Sequence, residues 1–193
     1  MTHPTSAPWQ TGRRGLLAGG AGLAVLLSGC TTEDTDAVRS GGPAPAQRAR
    51  SATLSTQPVT PLARSEHASA LIGGGLVLVI GGRGIGGELA SCQVLDPADG
   101  TWVDAAPLGL ARGLLSADVL DDGRVLCLGG RSSYGSVVTA SVFDPEADAW
   151  EPVAPLATAR HQHSTVALGE GRFVVTGGVS TGTLTDFELY EVS

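Results

Sequence analysis

At 193 residues, 42% apolar and 16% charged, the chain is long enough for one ordinary domain and has the apolar content to bury a core, so it is not a disordered protein. Its net charge is −7 and all 12 basic residues are arginine. The dense basic surface that a phosphate backbone requires is missing, and no nucleic-acid partner is expected.

The chain opens with a predicted targeting segment. Arg13 and Arg14 precede the apolar run LLAGGAGLAVLL, residues 16–27, which is too short to cross a bilayer as a helix but has the length of a signal h-region. The run ends in Leu27-Ser28-Gly29-Cys30. This resembles the lipobox of bacterial lipoproteins, which implies a signal peptide over residues 1–29 and lipidation of Cys30 as the mature N-terminus. Thr11-Gly12-Arg13-Arg14-Gly15-Leu16-Leu17 also resembles a twin-arginine export signal, without the Ser or Thr before the arginines and the lysine after the leucines. The export route is therefore left open. Cleavage before Cys30 would leave ten basic against 19 acidic side chains, a mature charge of −9. The two or three acyl chains of a lipoprotein would anchor it to a membrane without a spanning helix. By resemblance to enteric lipoproteins, Thr31 after the cysteine implies the outer membrane. Residues 30–60 are polar, rich in Gly, Pro, Ser and Thr and without apolar period, and read as a flexible tether.

From residue 61 onward the sequence repeats with a period of 48. Arg64, Arg112 and Arg160 share one register; so do the pairs Gly81-Gly82, Gly129-Gly130 and Gly177-Gly178, the Asp-Pro at Asp96 and Asp144, and Trp102 with Trp150. Each unit predicts four strands. The first alternates polar and apolar residues, as HASALI from His67, LSADVL from Leu115 and HSTVAL from His163. Three-residue turns follow at Gly73-Gly74-Gly75, Asp121-Asp122-Gly123 and Gly169-Glu170-Gly171. The second strands, LVLVI, RVLCL and RFVVT, are nearly continuous in apolar residues, the pattern of strands covered on both faces, and the glycine pairs end them. The third strands are CQVLDP from Cys92, SVFDP from Ser141 and FELYE from Phe187, the last shifted by one residue so that Tyr190 takes the place of Leu95 and Phe143. The fourth begin at Trp102 and Trp150. Runs of about six residues between Gly and Asp-Gly turns, rich in Val, Leu and Ile, favour strands over helices.

A period near 50 with a double glycine and a later tryptophan resembles the kelch repeat of β-propellers. The resemblance implies an all-β fold of about three four-stranded blades, 61–107, 108–155 and an incomplete 156–193. Three blades cannot close a ring, since propellers run from about four to eight. Either the sequence is a piece of a longer kelch protein, the favoured reading, or two chains join head to tail into six blades. In the second case the segment ATLSTQPV, residues 52–59, with Leu54 lying 48 residues before Trp102, would supply the missing strand of the partner's third blade.

Few residues carry chemistry. The glycine pairs are expected to allow close backbone approach, and Trp102 and Trp150 to pack outer strands between blades. His161-x-His163 has a spacing that can serve a metal, but no third ligand accompanies it, and His67 and His163 share a register with Leu115, which points to packing. No metal or other cofactor is therefore expected. Cys92 and Cys127 occupy different repeat positions inside predicted strands and read as buried thiols rather than a disulfide. Galactose oxidase has kelch-like repeats, but its copper site requires tyrosines, histidines and a Tyr-Cys cross-link, and only Tyr134 and Tyr190 occur here. No catalytic residue is assigned. Arg64, Arg112 and Arg160 lie in loops leading into first strands; by resemblance to kelch propellers such loops open onto a central channel, where the arginines could line an anion-attracting mouth, or else could bond strand-end carbonyls and acidic neighbours. Arg83 and Arg131, directly after Gly-Gly, form a second repeated pair that Val179 interrupts. The function expected is a lipid-anchored binding module for a protein or glycan at the cell envelope, with a piece of a larger propeller enzyme of galactose-oxidase or lyase type as the alternative.

Overall fold

The structure is a computed structural model and describes residues 62–192. The signal segment, Cys30, the tether, the segment 52–59, Pro61 and Ser193 lie outside the described residues.

The described repeats form three antiparallel blade sheets and two separate two-stranded hairpins. The first unit contains β1 (Ala68–Ile72), β2 (Leu76–Ile80), the short hairpin β3 (Arg83–Gly84) and β4 (Gly87–Glu88), then β5 (Cys92–Asp96) and β6 (Thr101–Ala105), with the blade ordered β1-β2-β5-β6. The second repeats this as β7 (Ser116–Val119), β8 (Val125–Leu128), the hairpin β9 (Arg131–Ser132) and β10 (Gly135–Ser136), β11 (Ala140–Asp144) and β12 (Ala149–Val153). The third holds β13 (Ser164–Gly169), β14 (Arg172–Thr176) and β15 (Phe187–Glu191) in that order. Over the described residues the fold is all-β, a partial propeller of blade-like sheets that do not close into a ring.

Register supports the repeat alignment, including its shift. Val77 faces Leu95, Val125 faces Phe143 and Phe173 faces Tyr190, so one deletion in the third unit restores the same cross-strand pair. Two features differ from the sequence expectation. The first strands begin one residue later, at Ala68, Ser116 and Ser164, because Glu66, Leu114 and Gln162 just upstream are left-handed (φ 59°, 54° and 54°) and turn the chain before it can pair. The hairpins β3–β4 and β9–β10 were not expected, since two-residue strands of Arg, Gly, Ser and Glu show no apolar alternation.

Burial lies between successive blades. Leu78, Ile80, Cys92 and Val94 of the first pack on Leu115, Val125, Cys127 and Phe143 of the second. Leu126, Leu128 and Val142 in turn meet Phe173, Val175 and Tyr190 of the third. All four residues of β8 are inaccessible, which explains its unbroken apolar sequence: one side serves each neighbour. Each such side chain contributes roughly 1.5–3 kcal/mol by leaving water.

Trp150 of the outer strand β12 ties the second blade to the first. Trp150 stacks tilted on Phe143 at 5.0 Å and donates from Nε1 to the Ala106 carbonyl at 2.8 Å, while Ala106 N donates to Asp148 at 2.7 Å. In the third blade Tyr190, the counterpart of Phe143, donates its hydroxyl to the Ala154 carbonyl, the counterpart of Ala106. A third-strand phenol thus does in one blade what a fourth-strand indole does in another.

Candidate functional site

The repeated arginines end in the same kind of nest. Arg64 donates to the Gly81 and Ser91 carbonyls at 2.8 and 2.9 Å and to Ser91 Oγ and Gln93 Oε1 at 3.2 and 3.0 Å. Arg112 donates to Ser141 Oγ at 3.0 Å and, more weakly, to the Thr139 carbonyl at 3.4 Å. Arg160 donates to the Gly177 carbonyl at 2.8 Å, to both oxygens of Asp186 and to Glu188 Oε1 at 2.7 Å. Allowing for the deletion, Ser91, Thr139 and Asp186 share one register, and Gln93, Ser141 and Glu188 another. Each arginine therefore joins the loop before its first strand to the start of its third.

Arg112 and Arg160 are 1% and 0% exposed, and Arg64 is partly buried. A solvent-facing, anion-attracting mouth does not describe the first two, because their guanidinium groups point into the blade. Burial lowers the pKa of Arg112 and Arg64, with nearby Cys127 and Cys92 respectively countering it. Neither thiol is in a disulfide, and burial pushes Cys127 up to about 12.

The double glycines explain how the next blade comes close. Gly129 has φ 56°, and a Cβ there would stand 2.5 Å from the Arg160 carbonyl; at Gly81 it would stand 2.5 Å from the Arg112 carbonyl. Through the second glycine, Gly82 N donates to Arg112 O at 2.9 Å and Gly130 N to Arg160 O at 2.8 Å. The left-handed residues extend this contact from blade to blade, Leu114 N donating to Glu66 O at 2.8 Å and Gln162 N to Leu114 O at 3.0 Å. Non-glycine residues held at positive φ cost about 1–2 kcal/mol each, and here the strained backbone is what aims the amide at its neighbour.

Beside these loops stand the hairpins. Bridges Ser65–Arg83, Gly113–Arg131 and His161–Val179 tie each lead-in loop to the segment after its glycine pair. The hairpin tips project fully: Ile85 and Tyr134 are exposed at 112% and 94%. Arg83 pairs with Glu88 at 3.1 Å on the first hairpin, and Arg131 is exposed on the second. His161 Nδ1 lies 2.8 Å from Ser136 Oγ, and burial, then Arg131, lowers its pKa. His163 turns to another partner, Nε2 lying 3.0 Å from Ser116 Oγ, because left-handed Gln162 breaks the strand alternation between the two histidines. Burial pushes His163 down to about 4. Among the described residues no three His, Cys, Asp or Glu side chains are grouped to hold a metal ion.

This rim of lead-in loops and hairpins was only half visible in sequence. The arginine register marked the loops, whereas the tips Ile85 and Tyr134 occupy different repeat positions and gave no signal. At the opposite end of the strands a groove of about 540 Å³ runs between the first two blades, lined by Ile72, Gly74, Leu76, Asp122, Arg124 and Glu146 among others. Its titratable side chains are mixed in sign, with Arg124 bonded to Asp122 at 2.7 Å.

Comparison with known proteins agrees with the geometry over part of the chain. Residues 115–157, from the end of the second lead-in loop through the second blade, match the family described as Kelch motif. No curated protein matches the chain.

Proposed function

We propose that this kelch-motif chain is a lipid-anchored binding module of the bacterial cell envelope, and that its partner, a protein, docks on the rim formed by the lead-in loops and the hairpins β3–β4 and β9–β10. The observation that carries the reading is the pair of projecting tips. Ile85 and Tyr134 leave their apolar surface in water on the hairpins that carry Arg83 and Arg131, while the apolar packing between blades is made by the strands. An exposed tyrosine on the same hairpin as an exposed arginine is a composition that concentrates binding energy in protein interfaces. The buried arginines hold the loops that carry this rim.

Anchoring rests on sequence alone, on Leu27-Ser28-Gly29-Cys30 behind the apolar run, with Thr31 favouring the outer membrane. Two measurements test the proposal separately. Cys30→Ala should abolish incorporation of radiolabelled fatty acid and release the protein from the membrane fraction; continued membrane residence without label would contradict the anchor. For the rim, cross-linking in intact cells should trap one defined envelope protein with the wild type and lose it with Tyr134→Ala and Arg131→Ala at unchanged thermal stability. Retention of that product by both variants would move the site off the rim, and binding only to isolated glycans would change the class of partner.

A further inference from the structure

The groove between the first two blades opens where the repeat changes three residues. In register with the period of 48, Gly73, Gly74 and Leu76 of the first blade stand where the second has Asp121, Asp122 and Arg124. Between the second and third blades the corresponding turns are tied, Glu170 N donating to Asp121 Oδ2 at 3.0 Å. One blade earlier the same pair is Asp122 N and Gly73, and glycine has no side chain to accept. That tie is missing, and the turns of the first two blades leave a groove of about 540 Å³ between them. Crowding is not the reason for the glycine, since a Cβ on Gly73 would meet nothing within 4 Å.

The two walls of the groove differ in chemistry. On the first blade Ile72, 4% exposed, and the half-buried Leu76 supply apolar surface, while Gly73 and Gly74 present bare backbone. On the second blade Arg124 Nε donates to Asp122 Oδ2 at 2.7 Å, so that these two charges offset each other. Asp144 Oδ1 accepts from Glu146 N at 2.7 Å and Ala147 N at 3.2 Å, which fixes this turn and leaves Asp144 Oδ2 and the exposed Glu146 carboxylate as acceptors. Asp122 N and the outer nitrogens of Arg124 are donors on the same wall. An ion of either sign would meet its like charge here, and a hydrocarbon would strand the donors and acceptors. A ring bearing hydroxyl groups does neither, because each hydroxyl both donates and accepts and the C–H face of the ring can lie on Ile72 and Leu76. The volume falls among those of small-molecule sites, about 300–1,000 Å³.

We propose that this groove is a subsite for one ring of a neutral saccharide. Asp144 and Glu146 accept from its hydroxyls, Asp122 N and Arg124 donate to them, and Ile72 and Leu76 support the ring. The subsite lies at the opposite end of the strands from the rim and stands or falls independently of the protein docked there.

The test is titration of the full chain in mild detergent with glucose, galactose and mannose, with their oligosaccharides and with purified envelope glycan, followed by the amide NMR shifts of Gly73, Gly74 and Asp122. At least one of these sugars is expected to move the three amides with saturation by tens of millimolar. Response to free sugars assigns the ligand to solution and response to the polymer alone assigns it to the envelope; both uphold the subsite. Gly73→Asp supplies the carboxylate that Asp121 supplies one blade later, and should weaken sugar binding by roughly tenfold or more without lowering the melting temperature. Glu146→Ala, at an exposed position, should weaken it in the same sense. Absence of shifts with every sugar overturns the proposal, as does binding that both variants retain, or tighter binding of acetate or guanidinium than of any sugar. Should Gly73→Asp fail to fold, Glu146→Ala decides alone.

Discussion

Arg160, in the loop before the third blade, and Arg131, at the start of the β9–β10 hairpin, show how differently one residue type is used. Arg160 is inaccessible and bonded to a backbone carbonyl and two carboxylates, whereas Arg131 is exposed beside a hairpin tip. Arg160→Met should destabilise the protein by about 3 kcal/mol, because the 15% exposed Glu188 carboxylate loses its charge partner and keeps only the Ala157 and Thr158 N–H donors, and Arg131→Met by less than about 0.5 kcal/mol. Urea unfolding midpoints of the two variants check this. A second expectation concerns pH. His163 titrates near 6.5 when unfolded and near 4 when folded, so the unfolded state binds the proton first as pH falls. The stability tied to its neutral form is complete above pH 6.5 and is lost as pH drops through that window toward 4. Leu115 occupies this register in the second blade, so His163→Leu should fold and lose less melting temperature than the wild type between pH 7 and pH 4.5. Equal losses would show that the imidazole is not the group responsible.

Among the elements, the glycine pair and the outer strand carry the contacts between blades. Gly129→Ala combines an unfavourable φ with a carbonyl 2.5 Å from the new methyl group, and should cost several kcal/mol or prevent folding. Trp150→Phe keeps an aromatic ring near Phe143 but removes the bond to Ala106, and should cost about 1 kcal/mol. Thermal and urea unfolding of the two variants would rank them, and a cheaper Gly129→Ala would refute the role of close approach. The strands themselves were legible because apolar runs of even length are punctuated by Gly at fixed spacing, and the period carried the register from the first blade to Tyr190. What the arginines bond to was not, since their acceptors lie 17 to 29 residues downstream and in the third unit only the deletion brings Asp186 and Glu188 into line. The hairpins escaped notice because a two-residue strand has no period to detect.

At the scale of the molecule, stability in such an arc is a sum of blade terms and nearest-neighbour interfaces, so among the described residues its weakest parts are the first and third blades, each packed against one other blade. The buried inner strand β8 and the half-covered β14 differ in that respect and in little else. The most direct test of the account is hydrogen exchange of the full chain, with protection at Val125–Leu128 compared with that at Arg172–Thr176. β8, packed between two blades, should exchange slowly, and β14, packed among the described residues against one, faster. Protection of β14 equal to that of β8 would contradict the claim that the inner strands are sealed by the blades on either side of them.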